Sequence, residues 1–263
     1  MAHALDTLPT LSLKGRDFLK VGDWSGEEIL LLLDLADELK AAHAERAPHR
    51  LLEGRTVGMV FQKPSTRTRV SFAAGIAQLG GTPLQLSPAG MQMGSRGESI
   101  RDTSLVLSRY IDGLVIRTYA QAEVEEFAQH CTIPVVNALT DIAHPCQALA
   151  DLQTIRERLG TFDGARVVYI GDGNNVCISL MIACAKVGAD FAAATPPGYE
   201  PPAKALAHAR AVAALSGSSV DLVADPREAA RGADVVYTDV WTSMGQEEET
   251  ERRLRDFAGW TID

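Results

Sequence analysis

No stretch of this sequence reaches the roughly 18 consecutive apolar residues of a membrane-spanning helix, so no span is expected. The N-terminus lacks the basic start and apolar core of a secretory signal. Nor is it rich in Arg and Ser, as a transit peptide would be. Cysteine is scarce and scattered. Cys131, Cys146, Cys177 and Cys184 form no C-x-x-C pair, which argues against a zinc site and for reduced, mostly buried thiols of a cytoplasmic protein. An excess of positive charge is also missing. A formal net charge of −9 makes the chain a poor nucleic-acid binder, because such binding relies on clustered Lys and Arg. Low-complexity linkers and obvious internal repeats are absent as well.

What is present is a chain of 263 residues, 46% of them hydrophobic, which fits one large or two ordinary domains. Ser25-Gly26-Glu27-Glu28 predicts a capping box, and Ile29, Leu32, Leu33, Ala36 and Leu39 follow at helical spacing. Strands are then expected near 56–61, 82–86, 113–117 and 134–137, with helices near 70–79, 98–110 and 120–130. A helix over 147–159 stops at Gly160. A second series has a strand over 166–170 and a helix over 176–187 closed by Gly188. Strands near 190–194, 220–223 and 235–239 follow, with a helix over 202–215 and a short one opened by Asp225-Pro226-Arg227-Glu228. Such alternation specifies parallel sheets covered by helices. The expected fold is α/β: two doubly wound parallel-sheet domains, residues 1–145 and 146–263, with a cleft between them. The end, Phe257 to Asp263, reads as a loop approaching another element.

The richest segment chemically is Lys63-Pro64-Ser65-Thr66-Arg67-Thr68-Arg69-Val70-Ser71-Phe72. It stands where a strand hands over to a helix. Unpaired N–H groups and the helix dipole favour an anion there. Arginine adds a planar fork that matches phosphate oxygens. The plain alternative is that the hydroxyl residues only cap the helix.

Three other constellations stand at sheet mouths or helix starts. In His144-Pro145-Cys146-Gln147, Pro145 fits the first helical position, which puts His144 at the N-cap. A helix N-terminus favours a neutral imidazole, able to donate to a carbonyl oxygen. A histidine that merely caps the helix is the rival. Gly171-Asp172-Gly173-Asn174-Asn175-Val176 imitates a dinucleotide fingerprint. It lacks the third glycine, and the next strand ends with no acidic residue for a ribose. Asp239-Val240-Trp241-Thr242-Ser243-Met244-Gly245 offers a carboxylate suited to an ammonium group. Arg117 and Gln92 are further polar groups at sheet mouths.

Together these residues resemble the aspartate/ornithine transcarbamoylase family, over essentially the whole chain from Leu13 onward. S-T-R-T-R-x-S-F is similar to its carbamoyl phosphate loop and His144-Pro-Cys-Gln147 to its H-P-x-Q. Asp239-x-Trp-x-Ser-Met-Gly245 is similar to the loop of members that use ornithine rather than aspartate. The resemblance implies that Ser65, Thr66, Arg67 and Thr68 hold the phosphate of carbamoyl phosphate, with Arg117 adding charge. Gln92 would enter from the neighbouring subunit of a homotrimer. His144 and Gln147 would contact the carbamoyl group, and Arg67, Arg117 and His144 would serve catalysis. L-ornithine would be held by Asn175, Asp239, Ser243 and Met244, and its side-chain amine would attack to give citrulline and phosphate, in arginine biosynthesis. No metal or organic cofactor is implied, because carbamoyl phosphate already carries an activated carbonyl.

The family's His-Cys-Leu-Pro motif, a following arginine and a closing helix do not occur in this sequence. The expectation is therefore an enzyme whose sequence is cut short. The alternatives are a non-catalytic homologue that still binds carbamoyl phosphate, and a transferase acting on another amine such as putrescine.

Overall fold

The computed structural model describes residues 13–87, 90–91, 97–242 and 247–262. The first sheet holds four parallel strands in the order β2-β1-β3-β4: β1 (Thr56–Phe61), β2 (Thr82–Leu86), β3 (Gly113–Arg117) and β4 (Val135–Leu139). Pro83 sits in β2, at the sheet's edge, where its missing N–H costs no ladder bond on the open side. β3 is central and all five of its residues are buried. Successive side chains alternate between two cores. Val60, Leu114, Ile116 and Val135 join Val124 and Phe127 on one face, while Met59, Phe61, Val115 and Ala138 join Ile76 on the other. The covering helices are α2 (Arg67–Gln78), α3 (Ile100–Leu107) and α4 (Gln121–His130).

The second sheet, also parallel, runs β7-β6-β5-β8: β5 (Arg166–Ile170), β6 (Asp190–Ala194), β7 (Val220–Leu222) and β8 (Val235–Tyr237). Its helices are α5 (Pro145–Leu159), α6 (Asn175–Val187), α7 (Ala203–Ser216), α8 (Pro226–Ala230) and α9 (Thr250–Asp256). Helix α1 (Gly26–Ala44) precedes both sheets in the chain, yet its Ile29 and Leu33 pack with α5 and α6. The largest core therefore draws on both sides of position 145. Phe18 adds a bridge to Val136 of β4 while burying its ring in that same core.

The capping box at Ser25 forms as expected: the Ser25 hydroxyl accepts from the Glu28 N–H at 3.1 Å, and Glu28 accepts from the Ser25 N–H at 2.8 Å. Gly160 and Gly188 end their helices with φ of 80° and 83°, a left-handed conformation that glycine adopts without strain. One expectation shifts: the predicted helix over 98–110 is confined to 100–107. The chain end is a loop as expected, with turns at 257–259 after α9 and Phe257 fully buried between Tyr199 and Trp241.

Candidate active site

The anion segment is more helical than its sequence predicts. Helix α2 begins at Arg67, not Val70, so Arg67 and Thr68 occupy its first turn. Thr66 stands at the N-cap with no side-chain cap bond. Ser65 does the capping instead, its hydroxyl accepting from the Thr68 N–H at 3.1 Å. The remaining N–H groups of that turn are the dipole's positive end. Arg117, at the last position of β3, reaches across to Thr68, its Nη1 donating to the hydroxyl at 3.1 Å.

Arg117 is only 5% exposed, and its Nε is buried without a partner. Burial, and then the neighbouring Arg67, push the guanidinium below its usual range. Among the described residues neither Arg67 nor Arg117 forms a salt bridge. Two like charges so close, with no carboxylate between them, form a site for an anion. Lys63 lies beside them, buried, with its ammonium 5.1 Å from the Tyr119 ring; sequence reasoning assigned it no role.

His144 takes the N-cap of α5, with Pro145 at the first helical position as expected. Its side chain caps nothing. The backbone N–H donates to the Ser179 hydroxyl at 2.8 Å, while ring Nδ1 is buried with no partner. Burial, with a smaller push from Arg117, lowers the imidazole to about 4. It is therefore neutral at physiological pH and carries a single N–H. Cys146 is not a competing nucleophile, because burial pushes its thiol up to about 12.

The opposite wall belongs to the second sheet. Asn174 caps α6, its Oδ1 accepting from the Val176 and Cys177 N–H groups at 2.9 and 3.1 Å. Its Nδ2 donates to Asp239 Oδ2 at 3.2 Å and so fixes that carboxylate. Asp239 lies two residues past the end of β8, which is shorter than its sequence suggests. The Asn175 Nδ2 donates to the Thr140 carbonyl at 2.5 Å, tying the start of α6 to the loop after β4. Gly173 is explained by packing rather than by a nucleotide: a Cβ there would stand 2.3 Å from the Pro201 nitrogen.

One cleft of about 870 Å³ is lined by both walls: Ser65, Thr66, Arg67, Thr68, Arg117, His144 and Gln147, with Asn175 and Asp239. Lys63, Tyr237 and Thr242 also line it. Nine of the twelve residues singled out from the sequence thus converge. Gln92, Ser243 and Met244 lie outside the described residues. Besides Lys63, sequence reasoning missed Asn174 as the partner of Asp239, and Tyr237. No local pattern signals these roles: the caps of Asn174 on its own helix are local, but its bond to Asp239 reaches another element.

Residues 16–157 match the family described as aspartate/ornithine carbamoyltransferase, carbamoyl-P binding domain, and residues 163–263 its Asp/Orn binding domain. Among curated proteins, the chain is 53% identical over 252 residues to an ornithine carbamoyltransferase of Pyrococcus horikoshii, covering 96% of this chain and 79% of that protein. It is 52% identical to one from Oceanobacillus iheyensis, over 95% of this chain and 77% of that protein. Among solved structures, the ornithine carbamoyltransferase of Pyrococcus furiosus superposes with a TM-score of 0.92 at 52% identity, over 96% of this chain and 80% of that one. The Thermus thermophilus enzyme gives 0.81 at 39% identity, over 94% and 78%. With its two parallel sheets, its basic first-turn site and its H-P-x-Q helix start, the chain belongs to the aspartate/ornithine carbamoyltransferase family.

Proposed function

We propose that the chain transfers the carbamoyl group of carbamoyl phosphate to the side-chain amine of L-ornithine, giving L-citrulline and phosphate in arginine biosynthesis. The observation that carries this reading is the sorting of charge across the cleft. Buried nitrogens without a partner, Arg117 Nε and His144 Nδ1, and the first turn of α2 stand on one wall; the Asp239 carboxylate stands on the other. A phosphate suits the first wall and an α-ammonium group the second.

Carbamoyl phosphate binds with its phosphate on Ser65, Thr66, Arg67, Thr68 and Arg117. His144 and Gln147 hold the carbamoyl group. Ornithine lies against Asn175 and Asp239, with Ser243 and Met244 closing over it. Its side-chain amine, of pKa about 10.4 in water, attacks as the neutral form. Held about 3–3.5 Å from the carbonyl carbon, it forms the C–N bond, and the carbonyl oxygen gains charge. The neutral His144 and the Thr68 hydroxyl donate to that oxygen. Collapse breaks the carbon–oxygen bond to phosphate. Arg67, Arg117 and the helix dipole stabilise the charge that departs with it, and the amine's proton leaves to phosphate or solvent. The reading includes a cytoplasmic homotrimer, with residues 1–145 as the carbamoyl phosphate side, residues 146–263 as the ornithine side, and Gln92 serving the neighbouring subunit.

Incubation of the chain with carbamoyl phosphate and ornithine, with citrulline as the readout, tests the proposal. Citrulline is expected; putrescine, which keeps both amines and lacks only the α-carboxylate, should serve at least tenfold less well in kcat/KM if that carboxylate is also recognised. Binding of carbamoyl phosphate without turnover would favour the non-catalytic reading. Arg67→Ala should abolish calorimetric binding of carbamoyl phosphate while the circular dichroism spectrum stays unchanged; retained affinity sinks the phosphate-site assignment.

A further inference from the structure

Asp151 stands one helical turn beyond Gln147 on α5, and the reaction as described makes no use of it. The Gln147 Nε2 donates to Asp151 Oδ1 at 2.9 Å, and Gln147 itself lines the cleft. A side-chain amide can be turned either way: its nitrogen donates and its oxygen accepts. An ionised carboxylate only accepts. Asp151 therefore selects one orientation, nitrogen toward itself, and the oxygen is the end left for the cleft. We propose that Asp151 is a positioning residue, whose ionised carboxylate turns the Gln147 amide so that its oxygen accepts a hydrogen bond from the carbamoyl NH2 group. The proposal rests on the carbamoyl phosphate reading above.

The surroundings fit this role. Tyr237 of β8 presents its hydroxyl to the same carboxyl, Asp239 beyond β8 adds a like charge, and Cys184 of α6 packs nearby as a neutral thiol. The second oxygen, Oδ2, is buried with no hydrogen-bond partner. No cation neutralises Asp151 among the described residues. Burial raises the carboxyl to about 6, against the pull of Gln147. Above that pH it accepts from Gln147. Below it, the acquired O–H competes for the Gln147 oxygen and the orientation is released.

Two probes separate positioning from mere structure. Phosphonoacetamide carries both a phosphonate and an NH2-bearing carbonyl; inorganic phosphate carries only the anion. Both are titrated into the whole chain by calorimetry at pH 7.5. Asp151→Asn, which keeps the shape but no longer dictates the amide's orientation, should weaken phosphonoacetamide about tenfold and leave phosphate unchanged. In a Gln147→Ala background the same substitution should add no further loss. The wild-type ratio of the two affinities should shrink between pH 7.5 and 5, and that of Asp151→Asn should stay flat. Equal weakening of both probes, or no weakening of either, overturns the proposal. A wild-type chain that binds neither probe overturns the carbamoyl phosphate reading, and this inference with it.

Discussion

His144 and Asp151 show burial acting on single residues in opposite directions. Desolvation penalises the charged form, so it lowers the imidazole and raises the carboxyl. For His144 the folded value of about 4 lies below the ordinary 6.5. Its stabilising contribution is thus complete above about 6.5 and disappears as pH falls through 4. The ring's C–H proton resonances should keep their neutral positions from pH 8 to pH 5; titration near 6.5 would show that the ring is hydrated. For Asp151 the folded value of about 6 exceeds the ordinary 3.8. Here the contribution is complete below 3.8 and lost as pH rises through 6, so the ionised group burdens the fold at neutral pH. The difference corresponds to at most about 3 kcal/mol. Asp151→Asn should accordingly raise the urea midpoint at pH 7.5 while impairing recognition of the carbamoyl group, and this stability gain should vanish near pH 4. A functional residue that costs stability is what a site under chemical demand produces.

Among elements, α9 does more than fill the end of the second unit. Arg253, buried on α9, donates from Nη1 to Asp172 Oδ2 at 2.5 Å and to the Trp241 carbonyl at 3.0 Å, and from Nε to Glu249 at 3.0 Å. Its guanidinium also lies 5.0 Å from the Tyr199 ring. One side chain therefore ties the loop after β5, the loop after β8 and the start of α9 together. Asp172 is itself buried, and desolvation holds its carboxyl above the ordinary range despite this partner. Arg253→Ala leaves that carboxylate unpaired and should cost about 3–5 kcal/mol. Arg253→Met should cost less at pH 5 than at pH 8, because Asp172 then takes up a proton. Chemical denaturation at the two pH values measures the difference; equal losses would mean that packing, not charge, dominates.

The molecule as a whole couples its two sheets through elements that belong to both. Helix α5 leaves the cleft at His144 and enters the large core through Ala148, Leu152 and Ile155. Arg156 on the same helix reaches Asp34 and Asp37 of α1 at 2.7 and 2.6 Å. The Asn175–Thr140 bond closes the other side of the cleft floor. A ligand that fills this cleft contacts both walls and binds only the folded state. Carbamoyl phosphate at one hundred times its Kd should therefore stabilise the chain by about 2.7 kcal/mol. Differential scanning calorimetry should show one transition moving upward, and no shift for Arg67→Ala. A split into two transitions, only one of them ligand-dependent, would show that the units unfold separately.

Local order was legible in the sequence because it is set by near neighbours. The alternation of apolar strands and amphipathic helices follows from periodicity, and the helix ends at Gly160 and Gly188 follow from glycine's access to positive φ. Even the Gln147–Asp151 pair has the i, i+4 spacing that makes helical neighbours meet. The start of α2 was less legible, since its first turn is held by Ser65 and by Arg117 from another strand. The sequence by itself thus determined two parallel-sheet units, an anion loop and a set of candidate polar residues. Only the tertiary structure decided their charges and company: Arg117 beside Arg67, His144 neutral, Asp239 held by Asn174, and Asp151 buried against β8. The reason is that hydrogen bonding along a helix needs four residues of chain, whereas desolvation and charge proximity depend on elements that meet only after folding.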